Sequence, residues 1–154
     1  MNMEIERKFL LKNNNWKAGN SGTHYKQAYL NEPGDNTVRV RIEGDKAKLT
    51  IKSKSKGISR QEYEYDIPME DAEGLLKLCK TPIVEKHRYK IMYAGNCWEV
   101  DEFMGLNEGL VMAEIELKDE NQSFEKPEWI GEEVSGDKRY YNSHLARHPY
   151  CEWK

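Results

Sequence analysis

The sequence predicts a mainly β, α+β chain whose strands close into an antiparallel barrel of about eight strands, with a polar, charged lumen and a few outer helices. Three observations predict it. Residue types alternate with period two in segment after segment. Turn signals separate these segments at hairpin spacing. The charged positions fall in like-sign blocks by strand instead of mixing along each face. Closure leaves no exposed strand edge; an open α+β sheet is the alternative that the same pattern allows.

Glu4 to Leu11 is the first strand, with Glu4, Glu6 and Lys8 on one face and Ile5, Arg7 and Phe9 on the other. Lys12 to Thr23, rich in Asn and Gly, reads as loop with a turn of helix near Trp16. Tyr25 to Leu30 is a second strand, ended by the turn signal Asn31-Glu32-Pro33-Gly34-Asp35-Asn36. Thr37 to Glu43 sets Val38, Val40 and Ile42 against Arg39, Arg41 and Glu43. Gly44-Asp45 then turns into Lys46 to Lys54, where Leu49 and Ile51 oppose Thr50, Lys52 and Lys54. Arg60 to Ile67 opposes Arg60, Glu62, Glu64 and Asp66 to Gln61, Tyr63, Tyr65 and Ile67, and Pro68 ends it. From Met69 to Lys80 the period becomes helical through Ala72, Leu75, Leu76 and Cys79, until Thr81-Pro82 stops it.

Ile83 to Met92 carries Lys86, Arg88 and Lys90 on one face and His87, Tyr89 and Ile91 on the other. Past the turn at Tyr93-Ala94-Gly95-Asn96, Cys97 to Phe103 opposes Glu99 and Asp101 to Trp98 and Val100. Gly105 to Gly109 is a loop, and Leu110 to Lys118 presents Glu114 and Glu116 opposite Ile115 and Leu117. A helical or irregular acidic segment runs to Pro127 and a loop passes Gly131 and Gly136. A closing helix, Asp137 to Arg147, is expected to bury Tyr140, Tyr141 and Leu145.

At 154 residues the chain suits one domain, 1–154, able to bury a real core. Charged residues are 33% of it, but 27 acids against 24 bases give a net charge of only -3, no global field for nucleic acid. No stretch is long and apolar enough for a membrane helix, and the charged first strand leaves no room for a signal peptide. Cys79, Cys97 and Cys151 are odd in number and form no CxxC, so a reduced, cytoplasmic chain with packing cysteines is expected, as monomer or homodimer.

The opposed faces decide orientation. Like charges on neighbouring side chains cost roughly 4 kcal/mol per pair at ~4 Å in a partly shielded setting, and water would screen most of that on an outer surface. Yet the aliphatic and aromatic rows also need covering. If the helices at 69–80 and 137–147 cover them from outside, the charged rows line the lumen. Paired carboxylates then suit Mg²⁺ or Mn²⁺, whereas zinc would want His or Cys. Arginine forks and lysine point charges suit phosphate oxygens.

The ordered set Glu4-x-Glu6-x-Lys8, Tyr29-Leu30, Val38-Arg39-Val40-Arg41, Thr50-Ile51-Lys52, Arg60-x-Glu62-x-Glu64, Lys86-x-Arg88-Tyr89, Val100-Asp101 and Glu114-Ile115-Glu116 resembles the CYTH superfamily of triphosphate tunnel metalloenzymes. The similarity continues through Pro127-x-Trp129-Ile130-Gly131-x-Glu133-Val134 and Arg139-Tyr140-x-Asn142, nearly the whole chain in family order. The resemblance implies an eight-stranded tunnel that processes triphosphates with a divalent metal, in the manner of the compact bacterial hydrolases of the family. It implies metal ligands among Glu4, Glu6, Glu62, Glu64, Asp101, Glu114 and Glu116. Lys8, Arg39, Arg41, Lys52, Lys86 and Arg88 become phosphate ligands, with Tyr29 orienting a phosphate or packing. Glu4, Glu6, Lys8, Glu62, Glu64, Lys86, Glu114 and Glu116 carry the catalysis. The expected substrate is inorganic tripolyphosphate or a nucleoside triphosphate; a class IV adenylate cyclase and a non-catalytic polyphosphate-binding module are the alternatives.

Other features read as structure. Arg60 is equally a phosphate ligand or an ion-pair partner of Glu62, and Lys54, Glu43, Asp66 and Lys90 read as surface near strand ends. His144 and His148, four apart with no third ligand in reach, read as a surface pair, and His87 as a packing residue. No P-loop, GxGxxG or GxSxG motif is present.

Overall fold

A computed structural model describes residues 3–32 and 34–153; Pro33, within the turn signal after the second strand, lies outside them. The strands are β1 (Met3–Leu11), β2 (Thr23–Tyr29), β3 (Thr37–Glu43), β4 (Lys46–Lys52), β5 (Ser59–Ile67), β6 (Val84–Tyr93), β7 (Asn96–Phe103), β8 (Val111–Glu116) and β9 (Ile130–Glu133). The helices are α1 (Met69–Leu78) and the single turn α2 (Asn142–Leu145). Eight strands close antiparallel in the order β1-β5-β4-β3-β2-β6-β7-β8 and back to β1. The ninth strand falls where the sequence predicts loop. One edge of β1 pairs β8 from Glu6 to Leu10; its other edge pairs β5 from Met3 to Ile5 and β9 at Phe9 and Leu11. Outward-facing Arg7 clamps β9 from its side chain, with Nε 2.7 Å from Glu133 Oε2.

Local chemistry sets the boundaries. Pro68, extended at φ -62 and ψ 145, ends β5 and caps α1, whose first turn holds Glu70 and Asp71 and whose last holds Lys77, complementing the helix dipole. The two-residue β6–β7 loop, Ala94-Gly95, has positive φ at both positions, 49 and 83, as a type I′ hairpin requires.

Three apolar clusters surround or end the barrel. Val40, Ile42 and Ala47 on the outer face of β3–β4 are covered by α1 through Ala72, Leu75 and Leu76. The outer face of β1, β7 and β8 supplies Phe9, Trp98, Val100, Ala113 and Ile115, and among the described residues no helix covers it. Trp16 from the β1–β2 loop and Phe124 and Trp129 from the irregular segment before β9 lie on it instead, with Trp98 wholly buried in edge-on contact with Phe9, Phe124 and Trp129.

The third cluster corrects the expected outer helix at 137–147. The tail is a 3₁₀ turn, Lys138–Tyr140, followed by α2, and it covers one end of the barrel. Leu10, Val84, Phe103 and Met112 continue the inward rows of Lys8, Lys86, Asp101 and Glu114, and they pack with Leu145 and Ala146 as a plug. The lumen is therefore charged over most of its length and apolar at this end. Leu145 is buried as expected, whereas Tyr140 is half-buried and Tyr141 turns toward the lumen. Tyr63 and Tyr65 on β5 remain exposed, so the outer face is not covered all round. Cys79 packs beside α1, but Cys97 and Cys151 are exposed, which corrects their expected packing role. Among the described residues no helix is long and apolar enough to cross a membrane.

Ala94 occupies a left-handed conformation that costs an alanine about 1 kcal/mol or more. Ala94→Asn, giving the Asn-Gly pair favoured in this turn, should raise the melting temperature by about 2–4 °C. An unchanged or lower melting temperature would contradict the hairpin geometry.

Candidate active site

Strand register converts the charged rows into two facing walls. Across β1–β8, Glu6 lies opposite Glu116 and Lys8 opposite Glu114, and across β7–β8 Glu99 meets Glu114. Arg88 opposes Asp101 and Lys90 opposes Glu99 across β6–β7. Arg39 opposes Thr50 across β3–β4, while Lys52 meets Glu62 and Thr50 meets Glu64 across β4–β5. These rows enclose a cavity of about 220 Å³. Glu4, Glu6, Lys8, Tyr29, Arg39, Arg41, Lys52, Glu62, Glu64, Arg88, Glu114 and Glu116 all line it.

Lys86 and Asp101 do not line it. One step nearer the plug, they are essentially inaccessible, at 0% and 1% exposure. Lys86 Nζ is 2.8 Å from Asp101 Oδ2, while Arg88 grips the same carboxylate with Nε at 2.7 Å and Nη2 at 2.8 Å. Both Asp101 oxygens are thus taken by cations, so here it is a counter-ion that orients Arg88 and not a cavity-facing ligand. Lys86 also donates to Asn142 Oδ1 at 3.0 Å, which accepts from Gln27 Nε2 at 3.1 Å; Gln27 Oε1 in turn accepts from Arg41 Nε at 2.8 Å. Burial, reinforced by Arg88 and Arg41 against the pull of Asp101, brings the Lys86 ammonium down to about 7.

The acids divide into satisfied and unsatisfied groups. Burial works to raise Glu4, but Lys52 at 3.0 Å and Arg60 at 3.1 Å outweigh it and hold its carboxyl at about 2. Glu114 likewise lies well below the usual carboxylate range because Lys8 and Arg88 overcome its burial. Glu6 goes the other way, pushed well up by burial and then by Glu114 and Glu4. Glu62 is raised by burial and Glu4, and Glu116 by burial, Glu4 and Glu62. On the facing wall, burial together with Arg39 and Arg88 lowers Arg41 to about 10. One wall is short of positive charge and the other of negative.

This donor set fits a hard divalent cation by its chemistry: the acidic wall offers carboxylate oxygens, and among the described residues neither His nor Cys lines the cavity. Among the described residues, no three Asp, Glu, His or Cys side chains are gathered closely enough to hold an ion. The reason is visible in the pairings, since Glu4, Glu6 and Glu114 are turned onto Lys52, Arg60, Lys8 and Arg88.

Several lining residues go beyond those expected. Arg60 faces the cavity and pairs with Glu4, and Glu43 and Lys90 line it too, although read as surface from the sequence. Lys54 and Asp66 are exposed. Tyr25 shares the inward row of Gln27 and Tyr29, so strand parity could have found it. Tyr141 could not be found that way. It lies in extended backbone before α2, with its ring 5.9 Å from Lys8 Nζ and 6.0 Å from the Arg60 guanidinium. His144 and His148 stack at 4.6 Å in the tail, and His87 lies beside His24 on the outer face of β2–β6.

Comparison with known proteins agrees with this architecture. An inorganic triphosphatase of Acetivibrio thermocellus is 52% identical over 155 residues, covering 100% of this chain and 99% of the relative. An inorganic triphosphatase of Nitrosomonas europaea is 39% identical over 148 residues, covering 93% and 96%. A crystal structure of an inorganic triphosphatase superposes with a TM-score of 0.68 at 36% identity, covering 93% of each chain. The CYTH domain profile matches residues 2–143, and the chain with its closed charged barrel therefore belongs to the CYTH domain family.

Proposed function

We propose that the chain hydrolyses inorganic tripolyphosphate to pyrophosphate and orthophosphate with the help of Mg²⁺ or Mn²⁺, in the cytoplasm. The observation that carries this reading is the division of one enclosed cavity into a basic and an acidic wall, each short of opposite charge. Inorganic triphosphatases at 52% and 39% identity support it. A triphosphate chain is a dense polyanion with little apolar surface, which suits a bore walled by ionic side chains and tyrosines.

Arg39, Arg41, Lys52, Arg88 and Lys8 take the phosphoryl oxygens. Arg88 is pre-oriented by Asp101 from below, and Lys86 acts from the same layer by holding Asp101 and Asn142 in place. Substrate binding exchanges partners. When phosphate oxygens draw Lys52 and Arg60 from Glu4, and Lys8 and Arg88 from Glu114, those carboxylates are released into a wall that already repels itself. Glu4, Glu6, Glu62, Glu64, Glu114 and Glu116 would then hold the cation. Bound there, it would supply charge neutralisation at the phosphoryl oxygens and a more acidic water. The basic wall stabilises the charge that builds on the departing pyrophosphate. Tyr29 and Tyr141 bound the space available to the chain.

Incubation with Mg²⁺ and either tripolyphosphate or ATP tests the reaction. Orthophosphate release from tripolyphosphate is expected; cyclic AMP with pyrophosphate from ATP would make the chain a cyclase, and no turnover of either would make it a binding module. Glu116→Gln should lower kcat about a hundredfold with the fold retained, whereas wild-type turnover would remove Glu116 from the cation site.

The charge excess around Glu6 also has a sign in stability. Its folded-state pKa is raised, so the ionised carboxylate costs stability above its folded pKa, and that cost vanishes below the unfolded value. In a chelator at pH 8, Glu6→Gln should therefore melt about 2–4 °C higher than wild type, and the gain should disappear near pH 4. Added Mg²⁺ should stabilise wild type more than the variant. A variant less stable than wild type in chelator at pH 8 would contradict the self-repelling acidic wall.

A further inference from the structure

We infer that Tyr25 is a positioning residue whose ring face keeps Arg41 and Arg88 side by side in the basic wall without itself occupying their N–H donors; the inference rests on the phosphate-binding role proposed for those arginines. Tyr25 lies on β2, between β3, which carries Arg41, and β6, which carries Arg88. Both guanidinium groups lie over its ring, each 5.1 Å from the centroid, inside the range of cation–π attraction. Tyr25 is 3% exposed, so water does little to weaken that attraction.

The two arginines differ in what else holds them. Arg88 has Asp101 at 2.7 Å, Glu114 at 3.3 Å and Glu99 at 3.4 Å. Among the described residues Arg41 has one acidic partner, Glu43, at 3.7 Å, and its Nε donates to the neutral Gln27 amide at 2.8 Å. Of the two, Arg41 is therefore the less compensated, and Arg39 and Arg88 both oppose its charge. A carboxylate at position 25 would compensate it but would also occupy its donors and repel the incoming polyanion. An aliphatic side chain would fill the space and compensate nothing. An aromatic ring supplies negative potential from its face, carries no net charge and accepts none of the in-plane N–H bonds. Burial raises the Tyr25 phenol, so the ring remains neutral at physiological pH. The ring, and not the hydroxyl, is the working part.

The test is tripolyphosphate hydrolysis with Mg²⁺ by proteins carrying Phe at position 25, then mono-, di- and trifluorinated phenylalanine. This series drains the ring face while leaving its shape nearly constant. Tyr25→Phe should stay within about twofold of the wild-type KM, and KM should climb with each fluorine to about tenfold, with kcat changing less and the melting temperature holding steady. A KM flat across the series would overturn the inference, because a packing role is indifferent to ring electronics. Arg41→Ala in the same assay separates the failures. If it raises KM about tenfold or more while the fluorinated series is flat, only the assignment to Tyr25 falls. If Arg41→Ala leaves KM unchanged, the phosphate-binding role of the wall falls and the inference with it.

Discussion

Taking a carboxylate or an ammonium out of water is costly unless an opposite charge goes with it, and this barrel encloses rows of both. The pairing of Lys52 and Arg60 with Glu4, and of Lys86 and Arg88 with Asp101, makes the enclosure tolerable. Removing one member of such a buried pair typically costs about 3–5 kcal/mol, since the partner is left uncompensated. Replacing both by apolar groups could leave the fold as stable. The charges are therefore poorly explained as stabilisers, and their presence accords better with the polyanion and cation proposed to bind there.

Around that constraint the rest of the chain is arranged. A barrel interior given over to ions forfeits the usual core, so apolar burial moves outward to Phe9, Trp98 and Ile115 beneath Trp16 and Trp129, to Val40 and Ile42 beneath α1, and to the plug at one end. The plug closes the bore with Leu145 and Ala146, while the same tail sends Asn142 to Lys86 and Tyr141 toward Lys8. One short segment thus joins the apolar end of the barrel to its ionic layer. The ionic layer is graded: Asp101 and Lys86 are locked together at its base, whereas beside the open space Glu6 is repelled by Glu114 and Glu4, and Glu62 and Glu116 by Glu4.

Much of this was legible in the sequence, for a physical reason. Strand parity assigns every second residue to one side, so a row such as Glu4, Glu6 and Lys8 identifies its wall from spacing alone. Parity says nothing of depth along the bore. That is why Asp101 reads as equivalent to Glu99 although it lies in the closed layer, and why Phe103 and Met112 hide their role as plug. The tail carried a helix-like pattern around Tyr140, Tyr141 and Leu145, but Tyr141 lies in extended backbone, so its ring leaves the apolar side. The cover over Trp98 was invisible because Trp16 and Trp129 come from aperiodic segments. Four-residue β9 is defined by its pairing with β1 and leaves little pattern of its own.

In the proposed reaction, acids and bases of the bore hold one another until a polyanion and a cation take their places. A crystal structure with Mg²⁺ and a non-hydrolysable triphosphate analogue tests it most directly. Lys52 Nζ, 3.0 Å from Glu4 Oε2 in the free chain, should be found on a phosphoryl oxygen, with Glu4 turned to the cation. An analogue seated outside the barrel, or one inside it with the Lys52–Glu4 pair intact, would contradict the account.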